Sequence, residues 1–310
     1  MQHIYAVGET ILDIIFRDQV PKTAKPGGSA FNASITLGRL GTPITFISEM
    51  GNDMVGDMIQ SFLEENGVDT SLISRYENGQ SAIALAFLND KNDADYQFYK
   101  DYPHQRLNVD FPEFKAQDLL LFGSFYALNP GIRHRVLLLL EKASRAGTLV
   151  VYDPNFRTTH LPERDKLLPV IEENMSFASV IRASDEDLQH IFGVDNPDDA
   201  WDRIRNYCPV LVYTANAHGV HLRTDRLNIM VEVEEIEPVS TIGAGDTFNA
   251  GLLYGIFRNG YTREQIGFLE RDSWEELIGY ATAFSREVCL SYENYLPVHY
   301  AEQLKSHKDR

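Results

Sequence analysis

Short apolar runs alternate with amphipathic stretches along most of this chain. Runs at residues 4–8, 11–16, 44–47, 118–122, 148–152, 179–182 and 210–214 have the length and composition of buried strands, and 229–236 adds a late one. Helical spacing fills intervals at 29–40, 57–65, 133–146 and 185–192, and returns over 263–288. Gly41 and the pair Asn66-Gly67 read as helix stops. This order of strand and helix is the signature of βαβ units around a parallel sheet. Residues 81–102 break it. There 81–88 is apolar and β-prone, 89–95 is polar, and Tyr96, Phe98 and Tyr102 alternate, which predicts an antiparallel hairpin. Residues 21–30 read as a Gly/Pro-rich loop and 51–56 as a turn. The polar residues from 306 onward read as a frayed end.

Composition narrows the partners. Asp plus Glu is 45 against 28 for Lys plus Arg, a formal charge of −17, which argues against nucleic acid or an anionic membrane as the main partner. The two cysteines, Cys208 and Cys289, lie far apart with no metal-ligand spacing, so neither a disulfide framework nor a zinc site is expected. No leader pattern opens the chain and no apolar run approaches a membrane span. The expectation is a soluble cytoplasmic protein.

The strongest chemical signal is Ser240-Thr241-Ile242-Gly243-Ala244-Gly245-Asp246-Thr247. Apolar residues follow at helical spacing (Phe248, Leu252, Ile256, and Ala250, Leu253, Phe257), and Arg258-Asn259-Gly260 reads as a stop. Gly243, Ala244 and Gly245 would then present backbone N–H groups at a helix N-terminus, where an anion is welcome. Asp246 fits either an N-cap or a base that removes a proton beside a phosphate. A second Gly-rich element, Pro26-Gly27-Gly28-Ser29-Ala30-Phe31-Asn32, lets backbone approach a hydroxylated ligand, with Asn32 one turn into a helix as donor and acceptor. Asp13 interrupts a strand-like run and is either solvated or held by a polar ligand. Polar clusters at 153–157, 183–187 and 214–216 follow predicted strands, where parallel α/β folds place their ligands. P-loop, dinucleotide, Gly-x-Ser-x-Gly and His-Glu-x-x-His motifs are all missing from the sequence, which weighs against the corresponding nucleotide, dehydrogenase and hydrolase sites.

The two Gly-rich elements resemble, in order, the two signatures of the ribokinase-like (PfkB) sugar kinase family, and Gly51-Asn52-Asp53-Met54-Val55-Gly56 fits its Gly-x-Asp-x-x-Gly turn. The resemblance implies a single three-layer α/β domain over 1–310 with a central, mostly parallel sheet. A small β lid from about 10–25 and 71–104 would close over the sugar. It implies ATP and Mg²⁺, with a monovalent cation such as K⁺ as a further activator. Asp246 becomes the base and Gly243, Ala244 and Gly245 the phosphate cradle. Asp13, Gly27, Gly28, Asn32, Phe98, Lys100 and Arg157 become sugar-side residues, and Asp153-Pro154-Asn155-Phe156-Arg157 resembles a run seen in fructokinases and ketodeoxygluconate kinases. Ser184, Thr214, Gly219 and Thr282 fall on the nucleotide side. The family's Asn-x-x-Glu motif, which organises magnesium and its waters, falls on Ser184-Asp185-Glu186-Asp187, which leaves Asp187 an indirect metal role.

The reading is an ATP-dependent sugar kinase most similar to fructokinases, making fructose 6-phosphate. Ketodeoxygluconate kinase, ribokinase and nucleoside kinase are alternatives within the class, and a silent sugar or nucleotide sensor is the alternative outside it. Exposed lid edges also invite a homodimer.

Overall fold

The computed structural model describes residues 2–88 and 94–306. The first half runs β1 (Ile4–Val7), β2 (Ile11–Arg17), β3 (Val20–Gly27), α1 (Ser29–Arg39), β4 (Ile44–Gly51), α2 (Met54–Glu65), β5 (Ile73–Tyr76), β6 (Gln80–Leu88), β7 (Ala94–Asp101), β8 (Leu119–Gly123) and α3 (Arg133–Arg145). The second half runs β9 (Leu149–Asp153), α4 (Arg164–Phe177), β10 (Val180–Ser184), α5 (Asp185–Phe192), α6 (Pro197–Ile204), β11 (Val210–Thr214), β12 (Val220–Thr224), β13 (Asn228–Val231), α7 (Ala244–Asn259), α8 (Arg263–Ile266), α9 (Arg271–Cys289) and α10 (Val298–Ser306).

Among the described residues the strands form two sheets. The larger has the order β13-β12-β11-β10-β9-β8-β1-β4-β5, and the smaller β3-β2-β6-β7. The large sheet is parallel from β5 to β11; the β11–β12 and β12–β13 pairings are antiparallel, so β12 alone runs against the rest. Its strands are apolar on both faces because both are covered. Ile4, Ala6, Leu119, Leu121, Leu149 and Val151 pack with α1, α7 and α9 on one side. Val7, Leu120, Phe122, Val150 and Tyr152 pack with α3 to α6 on the other. Period-two side-chain alternation thus splits each run between two cores, the arrangement that continuous hydrophobic strands require.

The strand order reverses beside β1: β4 flanks it on one side and β8 on the other. Open α/β sheets bind ligands in the crevice beyond the carboxyl ends of strands at such a switch point. The small sheet leaves from there, since β2 begins four residues after β1 ends.

Several expected boundaries shift. Of residues 21–30, expected as loop, 21–27 belong to β3. Both prolines fit because β3 is an edge strand, where a missing N–H breaks no ladder. Residues 73–76, inside the expected lid span, pair instead with β4 in the large sheet. The late strand ends at Val231 rather than 236, and β12 was not foreseen. The polar turn expected over 89–95 lies largely outside the described residues, as do 307–310. No described helix is long and apolar enough to cross a membrane.

α7 is held by unusually close contact with α9. A Cβ added to Gly251 would stand 2.6 Å from both the Ala281 Cα and the Tyr280 carbonyl oxygen. Backbone cannot retreat as a flexible side chain would. Gly251→Val is therefore expected to destabilise the fold by at least about 1–3 kcal/mol, read as a lowered urea midpoint. An unchanged midpoint would show that α9 moves aside freely.

Candidate active site

Two helix starts meet at the switch point. α1 begins after Gly28, whose φ of +132° and whose absent Cβ are both required: that atom would lie 2.2 Å from the Glu9 carbonyl oxygen. α7 begins after Gly243, at φ +82°, where a Cβ would lie 2.2 Å from the Asn294 carbonyl oxygen. The two glycines bring the first turns together. Asn32 Nδ2 donates to Asp246 Oδ2 at 2.8 Å, and Ser29 also hydrogen-bonds that carboxylate.

Asp246 is not the N-cap: Gly243 holds that position, and Asp246 lies three residues on. Its pKa is pushed up to about 6, first by burial and further by nearby Asp153, while Asn32, Ser29 and Arg157 pull the other way. The geometry leaves a half-buried carboxylate at the positive end of a 16-residue helix. The N–H groups of Gly245 and Asp246 have no preceding helical turn to donate to. That of Ala244 turns back to the Thr241 carbonyl at 3.2 Å.

Asp13 sits on β2 beside the end of β3: a Cβ on Gly27 would lie 3.0 Å from its Oδ2. Burial raises its pKa to about 6. Tyr96 on β7 feels the charges of both Asp13 and Arg157, and Arg157 acts on Asp246 as well. Asp13, Tyr96, Arg157 and Asp246 are therefore linked in turn by electrostatic reach between the small sheet and the α7 start. Phe98 lies two residues along β7, 57% exposed and stacked on Tyr96 at 5.8 Å. Lys100 does not stand free. Its Nζ donates to both Glu9 carboxylate oxygens, at 2.7 and 2.9 Å, and Tyr102 donates to the same group.

On the other side of α7, Ser184 caps α5 in a reciprocal box with Asp187. Asp187 accepts from the Ser184 N–H and hydroxyl through Oδ2 and from the Phe156 N–H at 2.6 Å through Oδ1. It thereby ties the 153–157 turn, and Arg157 with it, to α5. Thr214 Oγ1 accepts from Arg182 at 2.9 Å. Gly219 closes a turn in which its carbonyl accepts from the Ala215 N–H. Thr282 is on α9, its hydroxyl donating back to the Ile278 carbonyl. Among the described residues no cluster of three or more His, Cys, Asp or Glu side chains could cage a metal.

Asn249 was missed by sequence reasoning. It lies three residues after Asp246 on the same helix face, buried, and donates to the Asp153 Oδ2. Asp153, first residue of the polar cluster at 153–157, is the hub of this polar floor: it also accepts from Arg182 and from the Asn155 N–H. The i, i+3 spacing from Asp246 was the available signal for Asn249.

The pH dependence of stability follows from Asp246. Its folded pKa of about 6 exceeds the ordinary carboxylate value near 3.9, so the folded state binds this proton more tightly. Its ionised form then weighs against folding above pH 6, and the penalty fades as pH falls through that window. Asp246→Asn should therefore raise Tm at pH 7.5, with the gain shrinking towards pH 4. A gain that is the same at both pH values would contradict the assignment.

The pfkB family carbohydrate kinase profile matches residues 1–299. A fructokinase from Rhizobium leguminosarum bv. trifolii is 30% identical over 284 residues, covering 87% of this chain and 85% of that one. Fructokinase-1 of Oryza sativa subsp. japonica is 26% identical over 298 residues, covering 90% and 89%. Among solved structures, fructokinase from Vibrio cholerae O395 with fructose, ADP and calcium bound superimposes with a TM-score of 0.84 at 21% identity over 96% of both chains. Aminoimidazole riboside kinase from Salmonella enterica superimposes with 0.81 at 22% identity, over 98% of this chain and 99% of that one. With the family profile spanning nearly its whole length, and its two helix starts meeting at the switch point, this chain belongs to the pfkB family of carbohydrate kinases.

Proposed function

We propose that this chain is an ATP-dependent fructokinase, transferring the γ-phosphoryl group of ATP to a fructose hydroxyl to give fructose 6-phosphate. One observation carries the mechanism: a carboxylate whose pKa burial raises, Asp246, stands in the first turn of a helix, whose N-terminal pole favours an anion. A sugar hydroxyl is a poor nucleophile, and Asp246 takes its proton as the oxygen–phosphorus bond forms and the bond to ADP breaks. The N–H groups at the α7 start hold the charge that develops on the phosphoryl oxygens. Fructokinases among the relatives support the choice of sugar.

Asp13, the Gly27-Gly28 backbone and Asn32 orient the sugar, with Phe98 and Tyr96 over it and Arg157 at its rim. Lys100 acts through Glu9, setting the end of β7 rather than meeting the sugar. The small sheet is the lid, and its closure excludes water from the reacting groups. ATP lies along the edge made by residues 182–187, 214–219 and 240–251, with Thr282 on the helix behind. Mg²⁺ takes oxygen ligands and keeps several waters, so a metal carried on the nucleotide phosphates fits described residues that offer no three-acid cage. When bound it would supply charge neutralisation, while Asp187 orders the neighbouring turn. The outward lid residues Phe87 and Tyr99 are exposed, which favours pairing of two copies through the lid.

Coupled ADP release over a panel of fructose, ribose, ketodeoxygluconate and nucleosides tests the reading, with fructose expected to give the highest kcat/KM. Asp246→Asn should lower kcat by about 10²–10⁴-fold while fructose binding persists. Wild-type turnover in that variant would remove the base assignment, and a lack of turnover with every sugar would favour a sensor.

A further inference from the structure

Arg182 is buried where packing alone gives no reason for a cation. It projects from β10 and is only 9% exposed. Nη1 donates to Asp153 Oδ2 at 3.1 Å and Nη2 to Thr214 Oγ1 at 2.9 Å. The guanidinium carbon lies 5.3 Å from the centre of the Phe248 ring. The group also lies against the first turn of α7: a Cβ on Gly245 would stand 3.0 Å from Nη1 and 3.4 Å from Nη2. A side chain at 245 would therefore press on the guanidinium.

The placement is electrostatically one-sided. A helix N-terminus carries a positive pole, and a cation beside it is repelled. Asp153 offsets one formal charge, but Asn249 shares the same carboxylate oxygen, and Arg182 Nε is buried without an acceptor. Guanidinium donors and helix N–H groups converge on one region. Such convergence is favourable when an anion occupies it, because planar guanidinium N–H groups match phosphoryl oxygens.

We propose that Arg182 is a catalytic residue of the phosphoryl transfer, donating to an equatorial oxygen of the migrating group beside the Gly245 N–H. This rests on the sugar kinase reading above. Asp153 and Thr214 are its positioning residues. In the step, the sugar oxygen–phosphorus bond forms, the phosphorus–oxygen bond to ADP breaks, the sugar proton goes to Asp246, and Arg182 keeps all its protons. Its charge matters most when the phosphoryl group is between the two oxygens, so its loss falls on kcat.

The test compares Arg182→Met, Arg182→Lys and the double variant Asp153→Asn/Arg182→Met, which removes both buried charges and so guards against misfolding. Arg182→Met and the double variant should each lose about 10²–10³-fold in kcat with KM for fructose near wild type, and Arg182→Lys should recover part of the loss. Calorimetry with ADP, Mg²⁺ and aluminium fluoride gives a second readout. Wild type should bind the aluminium fluoride complex more tightly than ADP alone, and Arg182→Met should lose that advantage while keeping ADP affinity. Near wild-type kcat in the folded double variant, or a loss confined to KM, would overturn the role of Arg182 alone. A wild type that turns over no sugar would instead remove the kinase reading on which it rests.

Discussion

Ionised groups withheld from water set the terms for this molecule. Burying a carboxylate is costly unless something answers its charge, and the carboxyl edge of the large sheet carries several. Glu49, at the end of β4, is answered in full: Arg106 donates at 2.8 Å through Nε and the Leu107 N–H at 2.6 Å. Asp153 is answered by Arg182, Asn249 and the Asn155 N–H. Asp246 receives neutral donors only, from Asn32 and Ser29, with Arg157 acting on it at longer range. The donors differ in kind: Glu49 and Asp153 each meet a guanidinium, whereas Asp246 is oriented by an amide and a hydroxyl. Burial raises the pKa of Asp153 as well, against the pull of Arg182.

The same charges attach the small sheet. Glu9 follows β1, its carbonyl lies against Gly28, and its carboxylate collects Lys100 and Tyr102 at the end of β7. The Tyr102 ring lies under the Arg106 guanidinium at 3.6 Å, and Arg106 pairs with Glu49. A continuous chain of polar and charged contacts therefore runs from the end of β7 to the ends of β1 and β4. The small sheet is anchored there to the strands that flank the switch point, and on its other edge Lys25 of β3 donates to the Tyr292 carbonyl at 3.0 Å.

How much of this was legible depended on how far apart the partners lie. The α7 start was readable because the glycines, the acid and the following apolar stripe are consecutive, and local rules govern them. The strands of the large sheet were readable because burial on both faces leaves unbroken apolar runs. β3 was misread because Pro21 and Pro26 suppress a strand assignment unless its edge position is known. Lys100 could not be paired in advance: Glu9 is 91 residues away and no local pattern joins them. Arg182 was readable only as part of a strand end, since its meaning depends on Gly245 lying against it.

The departure at Ser184 and Asp187 takes on a definite meaning in this setting. The family's Asn-x-x-Glu would place a longer acid one turn into α5. Here the shorter acid folds back into a capping box with Ser184 and reaches across to the Phe156 N–H. Both oxygens are thereby drawn into the protein, and the reward is the geometry of the 153–157 turn, in which Asn155 takes a left-handed φ of +40°. That turn begins with Asp153, which sets Arg182, and ends with Arg157, which acts on Asp246. In the proposed kinase this turn sets Arg182 and Arg157 on either side of the phosphoryl path. The electrostatic work there would fall on these guanidinium groups and the helix pole, with the metal carried by the nucleotide.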